Sequence, residues 1–238
     1  MTKLNAGGLL LLGLMAQESH ARFYTGVDVG LNNSQIGSTF YRNLNAPTGP
    51  YGEFLTNKNG YNSFVAGIFG GWIYRSGIFS GGIEIGRNVD TLNDRIYKIT
   101  SQTDIDESIK TTRKGSVDAG IRFGYHPNQQ SMVYVKTGVT YAKFKTSWDG
   151  TDSSSTPGVT YRDRLSSSRS LAAFKASVGY EAFVSACIAV RGEMSYTFPI
   201  SHKINIGRFS SQSYSLDSTQ IKFRSSQTTF KLGIAYYF

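Results

Sequence analysis

The last nine residues, Phe230-Lys-Leu-Gly-Ile-Ala-Tyr-Tyr-Phe238, decide how the rest of the chain is read. Phe230, Leu232, Ile234, Tyr236 and Phe238 fall on one parity, and Lys231, Gly233, Ala235 and Tyr237 on the other. A period of two is the signature of a strand with two unlike faces. The same division holds over 116–125, where Val117, Ala119, Ile121, Phe123 and Tyr125 oppose Ser116, Asp118, Gly120, Arg122 and Gly124. It holds over 23–31, where Phe23, Val27, Val29 and Leu31 oppose Gly26, Asp28 and Gly30. No 3.6-residue stripe competes with it. The pattern predicts eight strands, at about 22–31, 63–74, 78–88, 114–125, 131–146, 169–182, 188–198 and 225–238. Within 63–74 the outer face is contested, with Phe64, Ile68 and Trp72 against Val65, Phe69 and Ile73. The connections alternate: 75–77, 126–130 and 183–187 are short, whereas 32–62, 89–113, 147–168 and 199–224 are long. One end of the sheet therefore carries tight turns and the other long loops. The prolines, at 47, 50, 127, 157 and 199, all fall in these connections, as a hydrogen-bonded sheet requires.

Composition agrees. A chain of 238 residues suits one larger all-β domain or at most two small ones. With 15 Tyr, 15 Phe, 26 Gly and 17% charged residues it is not a disordered polymer. No stretch reaches the 18 or so apolar residues of a membrane-spanning helix, which excludes a polytopic helical membrane protein. The single cysteine, Cys187, can form no internal disulfide and argues against a Cys-rich zinc site. A net charge of +9 suits nucleic acid or an anionic membrane surface, and the location of the charges must decide. The N-terminus bears on this. Lys3, the short apolar stretch Ala6–Ala16 and the small residues Ser19 and Ala21 before Arg22 read as an export signal cut between Ala21 and Arg22. That divides the chain into a signal peptide, 1–21, and one barrel domain, 22–238. An exported basic protein is not expected to read nucleic acid.

Two closed barrels fit eight alternating strands. A soluble ligand-binding barrel hides its apolar parity inside and shows a charged parity to water. A transmembrane barrel turns the apolar parity to lipid and packs the polar one within, because hydrocarbon tolerates neither charges nor open sheet edges. Here the second parity mixes glycine, small residues and isolated charges of both signs, with no apolar lining for a ligand. Phe23, Tyr74, Phe79, Tyr125, Tyr180, Tyr236 and Phe238 also gather at the turn-side strand ends, where a membrane interface would place an aromatic girdle. The expected fold is an all-β, eight-stranded antiparallel transmembrane β-barrel.

At this point the sequence resembles the small outer-membrane β-barrels of Gram-negative bacteria, of the OmpA-like and opacity-protein-like surface-antigen type. The resemblance rests on the terminus: a polar residue, Lys231, then Gly233, the aromatic Tyr236 and the terminal Phe238. It implies a place in the bacterial outer membrane, with short periplasmic turns and long extracellular loops. It also implies insertion by the barrel-assembly machinery, for which Lys231, Gly233, Tyr236 and Phe238 form the signal. It leaves the molecular partner open; the leading expectation is a surface antigen that contributes to envelope integrity, with the loops as the place for any adhesion to a host-surface ligand. A narrow porin is the alternative, and a lipid A-modifying enzyme a more distant one.

Catalysis would need a nucleophile or activated water beside a positioned base. His126 precedes Pro127 in a short turn, and His202 lies beside Ser201 with no carboxylate closer in sequence than Asp217. Neither makes a catalytic set, and no enzymatic activity or cofactor is expected. The acidic residues of 104–107 lack a paired histidine and read as solvated loop. By parity the interior collects Asp28, Glu84, Asp118, Glu181 and Glu193 against Arg122, Lys136, Lys175, Arg191 and Lys231. Counting levels from the turn side sets Lys175 beside Glu193, Glu181 beside Arg191, and Asp28 near Lys231. An eight-stranded barrel is filled by its side chains, so these charges are expected to form a buried network and not a channel lining. At the loop-side strand ends Arg87, Lys114, Lys143, Lys145, Arg169 and Arg224 are either solvated rim charges or contacts for outer-membrane lipid and lipopolysaccharide phosphate. Lys203, Arg208 and Lys222 in the fourth loop add to them.

Overall fold

The computed structural model describes residues 20–46, 49–90, 93–100, 105–152, 161–206, 209–210 and 215–238. Eight long strands form the wall: β1 (His20–Ala46), β2 (Gly49–Ser76), β3 (Phe79–Asp90), β5 (Ile105–Asn128), β6 (Ser131–Asp152), β7 (Tyr161–Phe183), β8 (Ile188–Ile206) and β10 (Ser215–Tyr237). Each pairs antiparallel with the next, and β1 pairs with β10 from Tyr24↔Tyr237 upward, which closes the tube. Two short strands, β4 (Asn93–Thr100) and β9 (Phe209–Ser210), lie beside β5 and β10.

Alternation separates the two faces as the sequence predicts. Val27, Val29 and Leu31 on β1 and Leu232 and Ile234 on β10 are more than half exposed, whereas Tyr24, Asp28, Asn32, Lys231 and Tyr237 between them are buried. The contest on β2 resolves in favour of Phe64 and Ile68 outside and Val65, Phe69 and Ile73 inside. The interior is therefore partly aromatic. Gly71 and Gly179 make this possible, because a Cβ at either position would collide with the ring of Tyr24 or Tyr134.

The long connections are not plain loops. β1 and β2 stay paired as far as Ala46↔Gly49, and β6 and β7 as far as Asp152↔Tyr161, so both continue as hairpins. Sequence patterning misses these extensions because residues 38–46 and 49–59 carry no sustained alternation of apolar and polar residues. Pro50, Pro127 and Pro199 also fall within strands and not between them. Pro50 and Pro127 sit at strand ends. Pro199 lies where β8 shifts register against β10, and among the described residues β7 and β8 pair only over 175–183 and 189–197. A residue without an N–H is tolerated there because that edge has no ladder to complete.

Candidate functional site

All seven girdle aromatics, Phe23, Tyr74, Phe79, Tyr125, Tyr180, Tyr236 and Phe238, are 42% exposed or more and stand on the outer face. Phe79 packs on Tyr125 at 5.8 Å between ring centroids, and Tyr236 on Phe238 at 5.1 Å. Above them runs a band of Val, Ile and Leu, and above that a second set containing Phe64, Tyr141, Phe174 and Phe198. Two aromatic belts around an apolar band are what a bilayer requires of a barrel's outer surface.

Inside, the ten residues assigned by parity all face the interior, and the structure adds Asp90 and Arg113. They form three layers. Nearest the turns, Glu84 accepts from Tyr24 Oη at 2.9 Å, Lys136 Nζ at 2.6 Å and Arg191 Nη1 at 2.9 Å. Glu193 accepts from Lys136 Nζ at 2.8 Å, from Tyr134 Oη at 3.0 Å and from Arg191. Glu181 accepts from Tyr237 Oη at 2.5 Å and lies 2.7 Å from Arg122 Nη2. The Arg122 guanidinium rests 3.7 Å above the centre of the Tyr134 ring, and that of Arg191 lies 4.0 Å from the centre of Phe69, so ring faces supply part of their cation stabilisation.

The middle layer holds Lys231 against Asp28 at 3.0 Å and Lys175 against Asp118 at 2.6 Å. Asn88 joins the two by accepting from Lys231 and donating to Asp118. In the loop-side layer Asp90 is held by Arg113, Ser63 and Asn32. Three carboxylates meet three cations in the first layer, two meet two in the second and one meets one in the third. A void of about 20 Å³ lies between the first two, room for about one water.

Partners differ from those the level count gives. Asp28 does meet Lys231. Lys175 is opposite Thr197, not Glu193, because the register that sets Glu181 opposite Arg191 carries it past. Glu181 and Arg191 are cross-strand neighbours, yet each turns to other partners. Asp90 and Arg113 lie in what the pattern reads as loop. A bulge at Gly115, whose φ of 122° suits glycine, shifts the alternation and turns Arg113 inward.

The outer rim is chemically one-sided. Among residues with described side chains, every carboxylate lies in the interior. Arg87, Lys143, Lys145 and Arg224 are exposed on the outer face, joined by Lys222 and Lys203, which lie opposite one another on β10 and β8. Arg169 departs from this set. It lies opposite the inward Phe144 and donates to the Lys203 carbonyl at 3.2 Å, so it faces the mouth of the barrel and not the surrounding lipid. The side chains of Lys114 and His202, together with residues 1–19, Arg208 and residue 104 of the acidic loop, lie outside the described residues. His126 points into the turn-side mouth with Nε2 3.1 Å from Ser80 Oγ. That pairing was not visible in the sequence, because the two residues lie 46 positions apart.

Comparison with known proteins bears on the fold. Residues 6–238 match the model of the outer membrane protein beta-barrel domain. OprG of Pseudomonas aeruginosa superposes with a TM-score of 0.56 at 11% identity, over 92% of this chain and 97% of that one. Neisserial surface protein A gives 0.40 at 13% identity, over 92% and 99%. Ail, the attachment invasion locus protein of Yersinia pestis, gives 0.36 at 16% identity, over 89% and 98%. No curated protein matches the chain in sequence. The chain belongs to the outer membrane protein beta-barrel domain family and is a closed eight-stranded barrel of the bacterial outer membrane.

Proposed function

We propose that the chain is a structural surface barrel that carries no solute, contributes to envelope integrity and offers its extracellular hairpins to ligands on a host surface. The observation that supports this is the interior, where six carboxylates and six bases cancel layer by layer. Steady conduction needs a continuous water path, and paired side chains fill the cross-section instead. Planar-bilayer recording of the refolded protein tests the reading. Little or no steady conductance is expected, whereas large, stable, ion-selective channels would make a narrow porin the better account. A lipid A-modifying activity gains no support, since the Ser80–His126 pair lies on the turn side and lipid A occupies the opposite leaflet.

The outward basic rim fits the phosphates of lipopolysaccharide, with Arg87, Lys143, Lys145, Lys203, Lys222 and Arg224 as contacts. Lipopolysaccharide added to phosphatidylcholine bilayers should raise the melting temperature of the wild type and do so less for a Lys143→Gln/Lys145→Gln variant. The exposed terminal Phe238 suits recognition by the assembly machinery. Its deletion should leave chain accumulating in the periplasm, and normal levels of heat-modifiable barrel in the deletion strain would remove that role.

A further inference from the structure

Below the girdle, the periplasmic mouth of the barrel opens as a cavity of about 590 Å³, a volume typical of sites for small organic ligands. Its walls carry Arg22, Arg75 and His126. Arg22 lies two residues before the inward Tyr24 and Arg75 two after the inward Ile73, so β1 and β2 aim both guanidinium groups into the opening. Each is fixed by one nitrogen to a turn carbonyl: Arg22 Nη1 donates to Ala186 O at 3.1 Å and Arg75 Nε to Gly77 O at 3.0 Å. A guanidinium has five N–H donors, so one hydrogen bond holds each in place and leaves donors to spare at the cavity wall. No carboxylate among the described residues pairs with either. Glu181, in the first interior layer, is taken by Arg122 and Tyr237.

Because the layers within are each neutral, the charge of the mouth is not cancelled from behind. Low-dielectric walls concentrate such a field in the cleft. Beneath the arginines the cavity meets the apolar end of the core at Ile73 and Phe183, with the fully buried Met132 packed behind them. Fixed cations beside an apolar surface have the chemistry of a receptor for an amphiphilic anion.

We propose that the periplasmic mouth binds a small organic anion, whose carboxylate, sulfonate or phosphate meets Arg22 and Arg75 and whose apolar body rests against Phe183 and the edge of Ile73. The site needs no passage through the barrel, so it stands whether or not the closed-interior reading holds.

The probe is 2-naphthalenesulfonate, titrated calorimetrically into the protein in phosphatidylcholine nanodiscs with empty nanodiscs as reference. Saturable binding is expected, with a shift of the His126 imidazole resonances. Arg22→Gln and Arg75→Gln should each weaken it by about tenfold, the effect of losing a charge-assisted hydrogen bond. Arg169→Gln, on the opposite rim, should leave it unchanged. The wild type alone also decides, since methanesulfonate carries the same charge without the apolar body and should bind at least tenfold more weakly. Binding that persists in Arg22→Gln/Arg75→Gln, that is lost only in the opposite-rim variant, or that is equal for the two sulfonates would overturn the proposal.

Discussion

The turn-side and middle layers of the interior solve one problem, charges held away from water, in two different ways. In the turn-side layer Arg122 and Glu181 are wholly buried, tyrosine hydroxyls donate to all three carboxylates, and both Glu84 and Glu193 accept from Lys136 and Arg191. Carboxylates there share their cations. In the middle layer two ion pairs are strung on one amide, Asn88, with the small void alongside. A shared network holds its members rigidly but strands a deeply buried charge when one is lost. A strung chain beside a void can admit a water in place of the missing partner.

The comparison is broken most forcefully at Arg122. Arg122→Met leaves Glu181 with Tyr237 alone, and removing one partner of a buried pair costs about 3–5 kcal/mol. Urea titration in lipid vesicles should show a loss of this order, with most of it recovered in Arg122→Met/Glu181→Leu. Equal stability of the single and double variants would mean that the buried pair is not the source of the loss.

A smaller effect distinguishes which residues are partners in the middle layer. A double-mutant cycle on Lys175→Met and Asp118→Asn should give a coupling of about 1–3 kcal/mol. The same cycle on Lys175 and Glu193 should give distinctly less, because no hydrogen bond joins them. The reverse order would restore the pairing that level counting suggests.

A third effect lies outside both layers, at His126. Burial, helped by the nearby Arg75 and Arg122 guanidinium groups, pushes its imidazole down to about 4 from 6.5. A depressed histidine contributes stability above its unfolded value, so that contribution should fade as pH drops from 6.5 towards 4. His126→Gln should flatten this part of the stability profile relative to wild type. Parallel profiles would show that the histidine does not titrate with folding.

The sequence identified which residues are inside far better than which of them meet. Side-chain parity is local, and period two carries it directly, so all ten assigned charges point inward. Partnership in a narrow tube runs across the lumen. Glu84 on β3 meets Arg191 on β8, and Lys175 on β7 meets Asp118 on β5, although neither pair of strands is adjacent in the wall. No count along neighbouring strands can find such contacts. Arg113 was hidden for a different reason: one glycine bulge reverses the parity on which the reading depends. The hidden extent of β1 and β2 follows from the sequence of 38–46 and 49–59, which shows no contrast between alternate positions.

The pairs between residues far apart in the chain also have a consequence in time. Asp28 lies 203 residues from Lys231, Glu84 lies 107 from Arg191, and Glu181 lies 56 from Tyr237. A chain being laid into the membrane from its first strand would hold Asp28 without its cation until the last strand arrives. Truncation before β10 removes Lys231, Tyr237, Thr229 and Gln227 together, and with them contacts to all three layers. The final hairpin thus neutralises what the earlier ones expose, and a half-inserted barrel is electrostatically unfinished as well as open.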